Sequence, residues 1–468
     1  MRRKRLISAA LSIVMLVGTA GCGSRSMQQT TAVQPEGVTE AVSESGKQGA
    51  DGKAETEAME TLPSHGERGA AAEDAAKLRG EQKFRETPEK TAAYLKHYFD
   101  IVLPEHPDTA AFSEALKKIS GKDVIAEGEL NWDSAVSMAV SAAGYEELAL
   151  TYDDEKAEER LRQYGVEAEG NVLSRIACAA DVDLITPEQA VLAVQRSSMD
   201  APSAGGLLMR VADALGAGRN YLGLASDPDI FGKLEKSWNS FQLFEDPVLS
   251  EIGRKAVEQK ITTGYGLKCA SYDAKFLPEL TLQYGHSDIL HAHQLIGLLD
   301  SENINARIQL EPKVSIYQYL PEWGPAPEAT PTYEVKKFSD ALYLVYAVEY
   351  DLKLEFAEKE EMLAFDRVIK EFAKKNSDNA DMKGLIYGSW WQPLYSTTRE
   401  DMPPEDYHLI YDCVMKNGQY SIHPFTTEEK KDAVLRQLSA LSDGISAEAE
   451  KRYVNTAFYN YLSGQDYQ

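Results

Sequence analysis

The chain has 468 residues, 43% of them hydrophobic, four cysteines and a formal charge of −25 at neutral pH. Such a length has room for about three domains with buried cores. The acidic balance excludes nucleic acid as a partner, because phosphates need Lys and Arg, and it argues against electrostatic docking on anionic lipid. Acidic runs such as Asp153-Asp154-Glu155 lack the alternating oxygen ligands and central glycine of a calcium loop, so no cofactor is expected.

In chain order, Arg2, Arg3, Lys4 and Arg5 form a basic n-region, Leu6 to Val17 is an apolar run, and Thr19-Ala20-Gly21 supplies small residues before Cys22. The run is too short to cross a membrane, which takes about 20 residues. The cysteine after small residues resembles the bacterial lipobox, although Thr19 stands where that motif usually has Leu. The resemblance implies cleavage after residue 21, acylation of Cys22 by palmitate-type chains, and anchoring to the outer face of a cell membrane, in Gram-positive style. Loss of the four signal cations makes the remainder more acidic still. Residues 22–83 read as a disordered tether, since Gly23 to Lys83 contains no aromatic side chain and cannot bury enough apolar surface to offset its ordering entropy.

Residues 84–245 read as a helical domain. Helices are expected over Thr91 to Val102, Ala110 to Ile119, Trp132 to Ala143, Asp154 to Tyr164, Val172 to Ala180, a start at Thr186-Pro187-Glu188, and Gly206 to Leu215. Two starts look alike, Leu130-Asn131-Trp132-Asp133-Ser134-Ala135-Val136 and Ile185-Thr186-Pro187-Glu188-Gln189-Ala190-Val191, with aligned alanines 55 residues apart. Over about 111–216 this pattern resembles S-layer homology repeats, which in that family hold pyruvylated wall polymers. Neither unit keeps the arginine of the family's Thr-Arg-Ala-Glu motif, so the resemblance implies the fold more than the polymer binding.

Residues 246–332 read as a mixed helical and strand region. Val248 to Ile261 is amphipathic, Thr262 to Gly266 is a turn, Cys269 to Leu282 carries an apolar stripe, and Ser287-Asp288 cap a helix over Ile289 to Leu299. Ile304 to Ile308 opens a strand. Over about 285–310, this helix followed by Ile304-Asn305-Ala306-Arg307 resembles the core of transglutaminase-like cysteine enzymes. Asp288 stands where that family has its nucleophile, about 19 residues before the arginine. Cys269 is the remaining candidate nucleophile, with His286, His291 or His293 as its base. Zinc is not expected. On one helix His291 and His293 point about 200° apart, and no pair has the spacing of a metalloprotease site. Cys178, Cys269 and Cys413 are widely spaced and odd in number, so at most one disulfide can form among them, and the default reading of all three is a buried inert thiol.

The prolines of Pro321 to Pro331 read as a linker to an antiparallel α+β domain over 333–468. Alternation from Leu342 to Phe356 predicts a strand with one buried face. Lys359 to Lys375 is an amphipathic helix and Gly384 to Ser396 is strand-like. Asn417-Gly418 marks a hairpin, and helices are expected from Thr426 to about Leu441 and from Ala447 to about Leu462. Trp390 and Trp391 are candidates for stacking on a ligand. The fold class is thus multidomain, α and α+β. The function expected is a non-catalytic binding or scaffolding role at the envelope, with the membrane, a wall polymer or a surface protein as partner. The alternative is a cysteine-dependent hydrolase or acyl-transferase using Cys269.

Overall fold

The computed structural model describes residues 84, 86–125, 129–168, 173–372, 383–386 and 394–465. Cys22, Trp390, Trp391 and the expected tether lie outside them.

The first described part is helical. It contains α1 (Pro88–Phe99), α2 (Thr109–Ser120), α3 (Trp132–Ala143), α4 (Glu146–Ala149), α5 (Asp154–Gln163), α6 (Leu173–Asp181), α7 (Pro187–Val194) and α8 (Ala201–Ala214). Side chains start most of them as the sequence indicates: Thr87, Asp108, Asn131, Asp153, Thr186 and Asp200 each accept a backbone N–H of the first turn. The two similar starts both close a reciprocal capping box, Asn131 with Ser134 and Thr186 with Gln189. They also lie near each other. Trp132 N donates to Ser197 O at 2.9 Å, and Asn131 bridges to Ser198 beyond the end of α7. Tyr94, Phe112, Leu116, Trp132 and Met138 fill one core, which buries Cys178.

The second part is a closed antiparallel barrel. Its strands are β2 (Gly264–Cys269), β3 (Thr281–His286), β4 (Ala306–Gln318), β6 (Tyr343–Phe356), β7 (Tyr395–Thr397), β8 (Tyr407–Asn417), β9 (Tyr420–His423) and β11 (Glu448–Asn455). Around the wall the order is β4, β2, β9, β8, β11, β7, β3, β6 and back to β4. Three short strands attach outside this ring: β1 (Gly223–Leu224) on β4, β5 (Tyr333–Lys337) on β6, and β10 (Phe425–Thr426) on β8. The chain is therefore mixed α+β. The boundary expected at 332/333 falls inside this one sheet, because β4 from before it pairs along its whole length with β6 from beyond it. Pro321 to Pro331 joins strands of a single wall.

Two further expectations are corrected. The apolar stripe of Cys269 to Leu282 is the end of β2, a loop and the start of β3, and of the turn expected at Thr262 to Gly266 only Thr262 and Thr263 precede β2, which begins at Gly264. The helix expected from Ala447 is β11 up to Asn455, whose side chain then caps α14 (Thr456–Ser463). Pairing with β8 overrides the helix preference of Glu448, Ala449, Glu450, Lys451 and Arg452.

The barrel carries its apolar face outward. Leu344, Tyr346, Val348, Tyr350, Leu352, Leu354 and Phe356 of β6 alternate with Glu349, Asp351, Lys353 and Glu355. The apolar set packs under helices. α9 (Ile230–Ser240), α11 (Ile289–Ser301) and α12 (Lys359–Phe372) cover β3, β4 and β6, while α10 (Pro247–Glu258) and α13 (Lys431–Ser439) cover β2, β8 and β9. The alternate residues, turned the other way by the strand's period of two, line the lumen.

Candidate functional site in the barrel lumen

The lumen is built from charged side chains. β4 contributes Arg307, Gln309, Glu311 and Lys313, β6 contributes Glu349, Asp351, Lys353 and Glu355, and β2 contributes Lys268. Gly264, Gly266 and Gly285 leave room for these long chains; a methyl at Gly285 would lie 2.7 Å from Lys313 Nζ. Asp351, 1% exposed, sits between Lys268 and Lys313, the latter at 2.8 Å. Burial raises the Asp351 carboxyl, but Lys268, Lys313 and Lys353 outweigh it and hold the group well below the usual carboxylate range. The same two carboxylates, Asp351 and Glu349, overcome burial at Lys313 and keep its ammonium charged. Glu311 and Lys353 lie 3.8 Å apart, and burial pushes the acid up and the base down.

At the end facing the helical part, Glu355 accepts from Arg307 at 2.5 Å and Arg219 at 3.0 Å. Both arginines also meet Glu86, at 2.8 and 3.1 Å, and stack on Phe84 and Tyr94 respectively. These charges neutralise one another within the wall, and bidentate contacts of this kind fix a register.

One further cluster has a different character. Ser421 and His423 are two apart on β9 and so share a face, with Ile422 between them turned outward. Ser421 Oγ lies 2.8 Å from His423 Nε2, and His423 Nδ1 lies 2.9 Å from Asp412 Oδ2 on β8. The ionised carboxylate accepts only, so in the neutral ring Nδ1 carries the proton and Nε2 accepts from the serine hydroxyl. Burial raises the Asp412 carboxyl, but His423, Arg452 and Lys268 outweigh it and hold it below its ordinary value. The side chains of Asp412 and His423 are 3% and 11% exposed, whereas Ser421 is only partly buried. Its cross-strand neighbour Lys416 reaches solvent at the hairpin end.

The sequence-derived candidates are placed elsewhere. Cys269 ends β2, partly exposed, with Ser271 Oγ 3.0 Å from its sulfur. His286 and His291 do come together. Asp288 N donates to His286 Nδ1 at 2.8 Å, so Nε2 carries the proton and donates to His291 Nδ1 at 3.1 Å, on the outer side of the wall beneath α11. His293 packs edge-on against Phe231. Among the described residues no hydrogen bond joins Cys269 to a histidine. Cys178, Cys269 and Cys413 are all free, and burial pushes the Cys178 and Cys413 thiols up to about 11 and about 12.

Ser421, His423 and Asp412 were readable as a hairpin but not as a site. The signal was present in Ser421-Ile422-His423, an alternation that places two polar groups on one face right after a turn. No family model, curated protein or solved structure matches this chain.

Proposed function

We propose that the chain is a lipid-anchored protein on the extracytoplasmic face of a bacterial membrane, acting by binding or scaffolding at the envelope, with its helical part as a distinct layer packed on the barrel. The observation that carries this reading is the run of basic residues, short apolar stretch, small residues and Cys22, followed by the aromatic-free stretch to Lys83. A groove of about 440 Å³ at the seam of the helical part and the barrel, lined by His97, Pro278, Glu279, Thr398, Arg399 and Asp401, supports a binding role. A wall polymer or a second surface protein is the partner proposed.

The test is detergent phase partition of the full chain expressed in a Gram-positive host. Wild type should enter the detergent phase, and Cys22→Ser should stay in the aqueous phase with its leader uncut; equal partition of the two sinks the anchor. Co-sedimentation of the same protein with wall sacculi, lost after acid stripping of their secondary polymers, is the result expected for a polymer partner. Acyl chemistry, the alternative function, draws support from Ser421, His423 and Asp412 instead of from Cys269, whose described partner is a serine hydroxyl.

A further inference from the structure

From the geometry we infer that Ser421 is an activated nucleophile that takes the acyl group of a short-chain ester, with His423 as its base and Asp412 as the residue positioning that base. This goes beyond the anchored binding role and does not depend on it.

Two observations converge. The distances of 2.8 and 2.9 Å are those of a hydroxyl–imidazole–carboxylate relay, and the atoms are in the right order: hydroxyl to Nε2, Nδ1 to carboxylate. Ser421 and His423 are both partly buried and Asp412 is buried, so the carboxylate end of the relay is the end shielded from solvent.

Neighbouring charges are consistent with the role. Arg452 lies 3.6 Å from Asp412, and Lys268, whose ammonium pairs with Asp351, is the cross-strand neighbour of Ser421 on β2. The lumen behind Ser421 is filled by paired side chains, as expected of an eight-stranded barrel. Lys416, paired with Ser421, is exposed at the hairpin end, and a filled lumen behind the serine favours an acyl group no larger than acetyl.

The step balances with water alone. Ser421 Oγ attacks the ester carbonyl and its proton moves to His423 Nε2. The tetrahedral centre collapses, the bond to the alcohol oxygen breaks, and Nε2 returns the proton to that oxygen. Water deprotonated by the same imidazole then cleaves the acyl-serine, releasing a carboxylic acid and restoring the hydroxyl.

A fluorophosphonate tests this directly, because Ser421 Oγ would displace fluoride and keep the phosphorus. The full chain is incubated with the probe, folded and in urea, and the adduct is mapped by peptide mass spectrometry. One adduct at Ser421 in the folded protein only is expected, along with p-nitrophenyl acetate hydrolysis that Ser421→Ala abolishes. His423→Gln should slow labelling at least about 100-fold, the usual worth of a general base. Asp412→Asn should slow it when assayed well below the variant's own melting temperature, which the lost buried charge will lower, with partial recovery in Asp412→Glu; Ser271→Ala should label like wild type. Absence of an adduct at Ser421, labelling equal in folded and unfolded chain, or an unchanged rate in folded His423→Gln overturns the assignment.

Discussion

His286 and His291 share a hydrogen bond with both rings largely withdrawn from water, an arrangement that disfavours protonation. Burial, then the neighbouring His291, lowers His286 to about 3, and burial lowers His291 against the pull of Asp288. A histidine whose folded pKa is depressed contributes stability that is full above its unfolded value of about 6.5 and is lost as pH falls below it. Urea unfolding should therefore show stability falling from pH 7 towards pH 5, by up to about 1.4 kcal/mol per pH unit for each proton taken up. His286→Gln should flatten that slope. Asp351 and Asp412 act lower on the scale. Their carboxyls are depressed, so their contribution is present above about pH 4 and disappears below it. Asp351→Asn leaves Lys268 and Lys313 facing each other in a buried space and should cost about 3–5 kcal/mol in denaturant unfolding at neutral pH.

Among the elements, the β8–β9 hairpin is legible in the sequence, yet its turn is one residue further on. Asn417 pairs with Tyr420, so the loop is Gly418-Gln419, with Gly418 at φ +58°. Glycine first in a two-residue loop with positive φ is the arrangement that follows strand twist. Gly418→Ala should destabilise by about 1 kcal/mol, the cost of a left-handed non-glycine residue, read as a shift in the urea midpoint. Gly253 on α10 has another reason to be glycine, since a methyl there would overlap the Tyr265 ring of β2. Alanine normally favours a helix by about 1 kcal/mol, but overpacking costs about 1–3 kcal/mol, so Gly253→Ala should lower the melting temperature. Helix starts were readable because the capping side chain sits beside the helix it caps. Strands were readable only where the outward face was regularly apolar, as in β6. β11 was lost because its lumen face presents Glu450 and Arg452, charges that usually mark a solvated helix. β2 was lost because Gly264 and Gly266 are lumen spacers that read as a turn. The relay of Ser421, His423 and Asp412 depends on a strand register that no local pattern encodes.

Across the whole molecule, the helical part and the barrel complete one another. Leu277 and Leu280, in the loop before β3, belong to the helical core, Tyr98 donates to Phe276 O at 2.6 Å, and Lys90 Nζ donates to Ala357 O at 2.8 Å. One cooperative transition is expected in calorimetry. Leu277→Ala should cost about 2–5 kcal/mol and lower that single transition, and two resolved transitions in the wild type would refute the coupling. The lumen's closure also sets an order of events. β2, β3, β4 and β6 are complete by Phe356, but β2 waits for β9 at Tyr420–His423, and β3 reaches the far wall through β7 and then β11. In a chain made from its N-terminus, the ring closes only once the last described strand exists. Until then, the half-wall presents bare edges. Such long-range pairing makes folding slow and leaves the nascent chain dependent on protection from its neighbours.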